Sequence, residues 1–298
     1  MDAVTHRTAE LSGHSFHYLE WGNADAPVLL FLHGFPEYGG AWTEVAERLA
    51  DSYRCIAPDQ RGFGQSWAPP EVEAYSLRDL VGDMVELIGH LGGGPVTVAG
   101  HDWGAAIAYG LAMFQPQLVS RLIIINGVHP APFQRELAAG GAQTSASQYI
   151  LYLRAEGSED RLAANDFGGL MKLFSAKMDL GWMTPERREL YKAEWSRPGR
   201  MRGMINWYRA SPLKVAEPGV ALTDVPALSK DRLQVRCPHL LIWGDEDTAL
   251  LPACIEGLED YAAELTVRHV PGADHWICHQ KPDEVAGLIR SWIEPVAK

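Results

Sequence analysis

The stretch that most constrains this chain is Val96-Thr97-Val98-Ala99-Gly100-His101-Asp102-Trp103-Gly104-Ala105-Ala106-Ile107-Ala108. A short apolar, β-branched run stops at Gly100-His101-Asp102-Trp103-Gly104, and small and apolar residues at helical spacing follow. That order predicts a strand, a tight turn and a helix. Glycine two residues to either side of Asp102 fits a bend with no room for side chains beside its central residue. The pattern has the form Gly-x-nucleophile-x-Gly, with aspartate where serine usually stands. A carboxylate held there can attack carbon by displacement and form an ester that must then be hydrolysed. Aspartate is also a favoured helix N-cap, so these five residues leave both readings open, and partners elsewhere must decide.

Strands alternating with helices surround this stretch. Residues 8–21 alternate weakly around a turn at Ser12-Gly13-His14 and predict a leading hairpin. Pro27 to Leu32 is a continuous apolar run of strand length, as expected of a strand buried on both faces; Arg54 to Ala57 reads as another short strand and Val119 to Ile125 as another buried run. Helical spacing occupies Ala41 to Ala50 and Leu77 to Leu91. After about residue 130 the rhythm changes, and no strand-like run occurs until His239 to Gly244. Helical patches fill the gap (Gln148 to Ala155, Asp160 to Ala176, Pro185 to Trp195, Met201 to Ala210), with Glu217 to Pro226 leading back. Leu265 to Val270 and a last helix from Asp283 to Trp292 complete the chain. The expected fold is α/β: a mostly parallel sheet flanked by helices. Residues 1–130 and 231–298 form its core, and 131–230 form an all-helical cap over the sheet's carboxyl edge.

The 298 residues carry a net charge of −12, which argues against nucleic acid or an anionic membrane surface as partner. Residues 186–214 hold eight Lys/Arg against three Glu, a pattern expected of a solvated helix face. Cys55, Cys237, Cys254 and Cys278 are widely spaced and without a CxxC pair, so buried free thiols are expected and a metal site is not. No signal peptide is visible, and no apolar run reaches the length of a spanning helix. A soluble, cytoplasmic protein is expected, with no cofactor.

Hydrolysing an ester on Asp102 needs a base. Gly272-Ala273-Asp274-His275-Trp276 follows the last strand, and His275 is the leading candidate, with His279 its competitor. His239 and His269 lie in strands and read as packing or surface residues. A carboxylate must orient the base. Trp243-Gly244-Asp245-Glu246-Asp247 offers three acids, and the form Trp-Gly-x-x-Asp favours Asp247. The oxyanion needs donors: the backbone N–H of Trp103 and that of Phe35, in His33-Gly34-Phe35-Pro36, where a cis Phe35–Pro36 bond fits. His33 and His101 read as side chains that hold loop backbone beneath the site.

These segments (HGFPE, DQRGFGQS, GHDWG, WGxxD and DHW, in that order) resemble the α/β-hydrolase superfamily and, within it, the epoxide hydrolases. Haloalkane and haloacetate dehalogenases share the machinery and form the alternative. The former generally carry asparagine at the position of Phe35. The latter usually follow the nucleophile with arginine and place the acid near the position of Asn126. The resemblance implies two cap tyrosines that donate to the epoxide oxygen. Ile205-Asn206-Trp207-Tyr208-Arg209 and Gln148-Tyr149-Ile150-Leu151-Tyr152 resemble the segments that carry them, which points to Tyr208 and Tyr149, with Tyr152 and Tyr191 as substitutes. The departures are Ala105 and Asp274, each where relatives usually have glycine. The implied substrate is a small, largely apolar molecule bound between core and cap.

Overall fold

A computed structural model describes residues 4–175, 177–225 and 229–294. The expected helix end at Ala176 and the return at Pro226 lie outside the described residues. Strands β1 (Thr5–Leu11) and β2 (His14–Trp21) form the leading antiparallel hairpin. Then follow β3 (Val28–Leu32), α1 (Thr43–Leu49), β4 (Arg54–Pro58), α2 (Leu77–His90), β5 (Val96–His101), α3 (Trp103–Phe114) and β6 (Val119–Ile125). Helices α4 (Pro130–Ala138), α5 (Ala142–Ala146), α6 (Gln148–Arg154), α7 (Ser158–Ser175), α8 (Pro185–Trp195) and α9 (Arg200–Ala210) come next. The chain then returns through β7 (His239–Gly244), β8 (Leu265–Val270), α10 (Ile277–Gln280) and α11 (Pro282–Ile293).

The eight strands form one sheet in the order β1-β2-β4-β3-β5-β6-β7-β8. The β1–β2 and β2–β4 pairs are antiparallel and the remaining pairs parallel. Alternate side chains of the central strands serve two separate cores. Leu30, Val98, Leu122 and Leu241 pack with Leu80, Ile107 and Leu111 on one face. Leu29, Ala99, Ile123 and Ile242 pack with Val45, Leu49, Val285 and Ile289 on the other. Burial on both faces is why these strands are predominantly apolar, with the polar Ser120 and Arg121 falling at the less buried start of β6. Helix α2 starts where Ser76 Oγ accepts the Asp79 N–H, a side-chain cap on an otherwise unpaired donor.

Helices α4 and α5 were not expected from the sequence. Pro130 and Pro132 and the Gly140-Gly141 pair obscure their short apolar spacing. Helix α7 is interrupted at Ala164 to Phe167, where the backbone leaves helical angles. The basic stretch on α8 and α9 is largely paired within the chain: Arg187 with Glu44, Lys192 with Asp166, Arg197 with Glu194 and Arg209 with Glu159. All four cysteines are unpaired; Cys55, Cys254 and Cys278 are buried and Cys237 is half-buried. Among the described residues no helix is long and apolar enough to cross a membrane.

Candidate active site

Parallel strands bring the loops at their carboxyl ends together along one edge of the sheet. His33 to Pro36 follow β3, Asp102 follows β5, Asn126 follows β6, Asp245 to Asp247 follow β7 and His275 lies beyond β8. Asp102 sits at φ 50°, ψ −120°, outside the regions a non-glycine residue ordinarily occupies, and its side chain makes no capping bond to α3. Such a bend needs close neighbours without side chains. A Cβ on Gly104 would run into the Leu32 carbonyl, and one on Gly34 would overlap the Asp102 side chain itself.

The two oxygens of Asp102 have different surroundings. Oδ1 accepts the Phe35 N–H at 2.8 Å, and Oδ2 faces His275 Nε2 at 3.7 Å. The Phe35–Pro36 peptide is cis. Among the described residues Trp103 N–H makes no bond to the carboxylate; its ring packs edge-on to Tyr208, 5.1 Å between centroids. Behind His275, Nδ1 lies 2.8 Å from Asp247 Oδ2. Asp247 is buried and fully engaged: Oδ2 also accepts from Asn126 Nδ2 at 2.7 Å, and Oδ1 accepts the N–H groups of Ala249 and Leu250 at 2.8 and 2.9 Å. Burial alone would raise its pKa, but His275 and these donors outweigh it and hold Asp247 below the usual carboxylate value. For His275, burial opposes the charged form, yet the Asp247 carboxylate, followed by Asp102, pushes its pKa up to about 9.

Tyr149 on α6 and Tyr208 on α9 both line, together with Asp102, a cavity of about 940 Å³ and an adjoining one of about 140 Å³. Their rings meet edge to face at 6.1 Å. Burial, reinforced by the nearby Asp102 charge, raises both phenol pKa values, so each keeps its proton and remains a donor. Arg154, which ends α6, locks the two helices together. Its guanidinium donates to the carbonyls of Tyr208, Leu213 and Ser211 at 2.8, 2.9 and 3.2 Å. Of the substitutes, Tyr152 also lines the larger cavity. Tyr191 is buried elsewhere and donates to Glu37 at 2.8 Å.

The other histidines divide as their positions suggest. His279, the competitor, pairs through Nε2 with Glu37 at 2.6 Å and stacks on Trp182. His101 donates through Nε2 to the His275 carbonyl at 2.8 Å, and its Nδ1 lies 3.4 Å from Glu37. His33 bonds the Gly34 carbonyl through Nδ1 and accepts the Gln60 N–H at Nε2. His269 pairs with Asp245 at the surface. Asn126 and Arg154 escaped the sequence reading. A polar residue closing the β6 run was the one visible signal for Asn126. Arg154 looked like an ordinary polar helix end.

A family model for the alpha/beta hydrolase fold matches residues 27–164. The AB hydrolase superfamily protein YfhM of Bacillus subtilis is 32% identical over 99% of both chains. Epoxide hydrolase 4 of Mus musculus is 32% identical, over 95% of this chain and 77% of its own. A solved structure of novel epoxide hydrolases from metagenomes of hot environments is 36% identical, with a TM-score of 0.89 over 99% of this chain and 100% of that one. The dehalogenase alternative finds no support among these relatives. With its mostly parallel eight-stranded sheet and an alignment to epoxide hydrolases over nearly its whole length, the chain belongs to the epoxide hydrolase family of the α/β-hydrolase superfamily.

Proposed function

We propose that this chain opens epoxides to vicinal diols through an ester on Asp102, with no cofactor. Tyr149 and Tyr208 donate hydrogen bonds to the ring oxygen, because opening the ring expels an alkoxide, a poor leaving group. Asp102 Oδ2 forms a bond to a ring carbon as that carbon's bond to the ring oxygen breaks, and a tyrosine proton passes to the oxygen. His275 Nε2, oriented by Asp247, then takes a proton from water, whose oxygen adds to the ester carbonyl carbon. The negative charge gathers on Oδ1, held by the N–H groups of Phe35 and Trp103. Collapse of this intermediate breaks the bond from the carbonyl carbon to Oδ2. The departing oxygen takes the proton held by His275 to complete the diol, and the proton left on the new Asp102 carboxyl group returns to the tyrosine, restoring both carboxylate and phenol.

The unequal surroundings of the two Asp102 oxygens carry this reading: one already rests on an amide donor, and the other faces the base and the cavity. The charge balance supports the order of steps. A base with pKa about 9 is mostly protonated near neutrality. Turning Asp102 into a neutral ester removes one of the three carboxylate charges (Asp247, Asp102 and Glu37) that hold the proton on, so the base is released when the ester exists. The proposal includes the division into a core of residues 1–130 and 231–298 and a helical cap of 131–230. It also includes a largely apolar substrate lying between them, near Phe35, Trp103 and Trp207, and a reducing, cytoplasmic setting, in keeping with four unpaired thiols.

One turnover in ¹⁸O water tests the scheme. The heavy oxygen should enter the Asp102 carboxyl group, and His275→Gln should accumulate an adduct with the mass of protein plus epoxide. Diol formed while Asp102 stays unlabelled would overturn it.

A further inference from the structure

Asp274, the residue before the base, is only 6% exposed, and among the described residues no cation pairs with it. Its carboxylate instead holds two backbone amides. Oδ1 accepts the Trp276 N–H at 2.9 Å, and Oδ2 reaches across to the N–H of Asp179 at 2.7 Å, in the segment between α7 and α8. Gln280 braces the same junction from α10: Oε1 accepts the Asp274 N–H at 2.9 Å, and Nε2 donates to the Asp179 carbonyl at 3.2 Å. Both backbone polar groups of Asp179 are therefore held, its N–H by the residue before His275 and its carbonyl by Gln280 on α10. Trp276 adds a third attachment. Its indole N–H donates to the Phe174 carbonyl at 3.1 Å, and its ring stacks on Phe174 at 4.1 Å, nearly parallel.

The residues so gripped form one side of the larger cavity: Leu173, Phe174, Met178 and Trp276 line it together with Asp102 and His275. A wall held only by the chain end of α7 would be free to shift, since loop segments open at low free energy. Here the loop bearing the base fixes the wall, so the position of one depends on the other.

We propose that Asp274 and Gln280 form a latch that sets the wall of the larger cavity against the His275 loop. They are positioning residues that determine how well epoxides with a long substituent are used. The selectivity part rests on the epoxide-opening reading above; the latch itself does not. A long alkyl arm leaves the reacting centre along this wall and presses on Phe174 and Met178, whereas a short one stays near Asp102. Loosening the wall therefore weakens the contacts of the long arm first.

The test compares Asp274→Ala, Gln280→Met and the double variant with the parent enzyme on 1,2-epoxydecane and 1,2-epoxybutane. Hydrogen exchange is followed at the Asp179 amide in all four proteins. Each single variant should lower the kcat/KM ratio of the long to the short epoxide about tenfold, the worth of one lost hydrogen bond. The double variant should lower it little further, because both side chains hold the backbone of one residue, Asp179. Exchange at Asp179 should quicken in all three variants. Equal losses on both epoxides, or unchanged exchange at Asp179, would overturn the latch. Gln280→Met leaves the Asp274 carboxylate in place and reports on the junction even where Asp274→Ala fails to fold. If the parent enzyme opens neither epoxide, the functional reading fails instead, and the exchange rates still judge the latch.

Discussion

Strand β7 begins at His239, and the loop beyond its other end carries Asp247, the partner of His275. The two histidines, at opposite edges of the sheet, are buried alike and electrostatically opposite. His239 packs edge-on against Tyr109, and among the described residues no carboxylate pairs with it; burial, with His129 nearby, pulls its pKa down to about 3. His275 is just as enclosed, but Asp247 and Asp102 push it up to about 9. Burial by itself discharges an imidazole, and flanking carboxylates reverse the outcome. The amino edge of this sheet thus uses histidine as a neutral packing piece, whereas at the carboxyl edge neighbouring carboxylates hold a proton on it.

Exchanging those surroundings gives the largest expected effect. Asp247→Asn should bring the pKa of His275 toward that of His239 and favour the wrong tautomer, lowering kcat by about 10⁴-fold. Imidazole NMR would follow the pKa and steady-state kinetics the rate. A His275 pKa still near 9 in that variant would show that Asp102 alone holds the proton. Next is Tyr208→Phe, which removes one of the two donors proposed for the departing oxygen and should lower the ester-forming rate about 10²-fold in single-turnover measurements. Decay of an already formed ester should change far less, since that step draws on Phe35 and His275.

Arg154 marks the difference between what the sequence disclosed and what it hid. The Gly-x-Asp-x-Gly bend, the Trp-Gly-x-x-Asp segment and His275 stand at strand ends, so apolar runs that announce strands also announce the places where polar groups collect. Arg154 acquires its role from carbonyls 54 to 59 residues away in the chain, and no local spacing encodes that contact. Asn126 is similar, its partner Asp247 lying 121 residues on. The tyrosines fall between these cases. Aromatic density alone could not rank Tyr149 and Tyr208 above Tyr152 or Tyr191, and the resemblance to known segments did so. Tyr191 proves to be committed to Glu37. Arg154→Met should leave three carbonyls short of a donor, let α6 drift from α9 and lower kcat about tenfold. Arg154→Lys, which keeps the charge but not the planar fork, should fall between.

The amino edge gives the effect that speaks most directly to stability. An unfolded chain protonates His239 near 6.5, while the folded chain resists until about 3. His129, whose Nε2 donates to the Leu233 carbonyl while Nδ1 accepts the Ala131 N–H, is likewise pulled down by burial to about 4. Between those limits the unfolded state binds more protons, so stability falls as pH drops below 6.5 and is level above it with respect to these two groups. For His239 the loss at pH 5 amounts to about 2 kcal/mol, several degrees in Tm. His275 acts in the opposite sense: raised to about 9 in the folded chain, it contributes stability that is whole below 6.5 and is lost as pH climbs through 9. Replacing His239 by phenylalanine, which fills the same space beside Tyr109 without a titrating nitrogen, should flatten the acid side of a Tm-against-pH curve and leave the alkaline side unchanged. An acid limb as steep as that of the parent protein would mean that His239 does not resist protonation, and the contrast between the two ends of β7 would then have to be sought in geometry rather than charge.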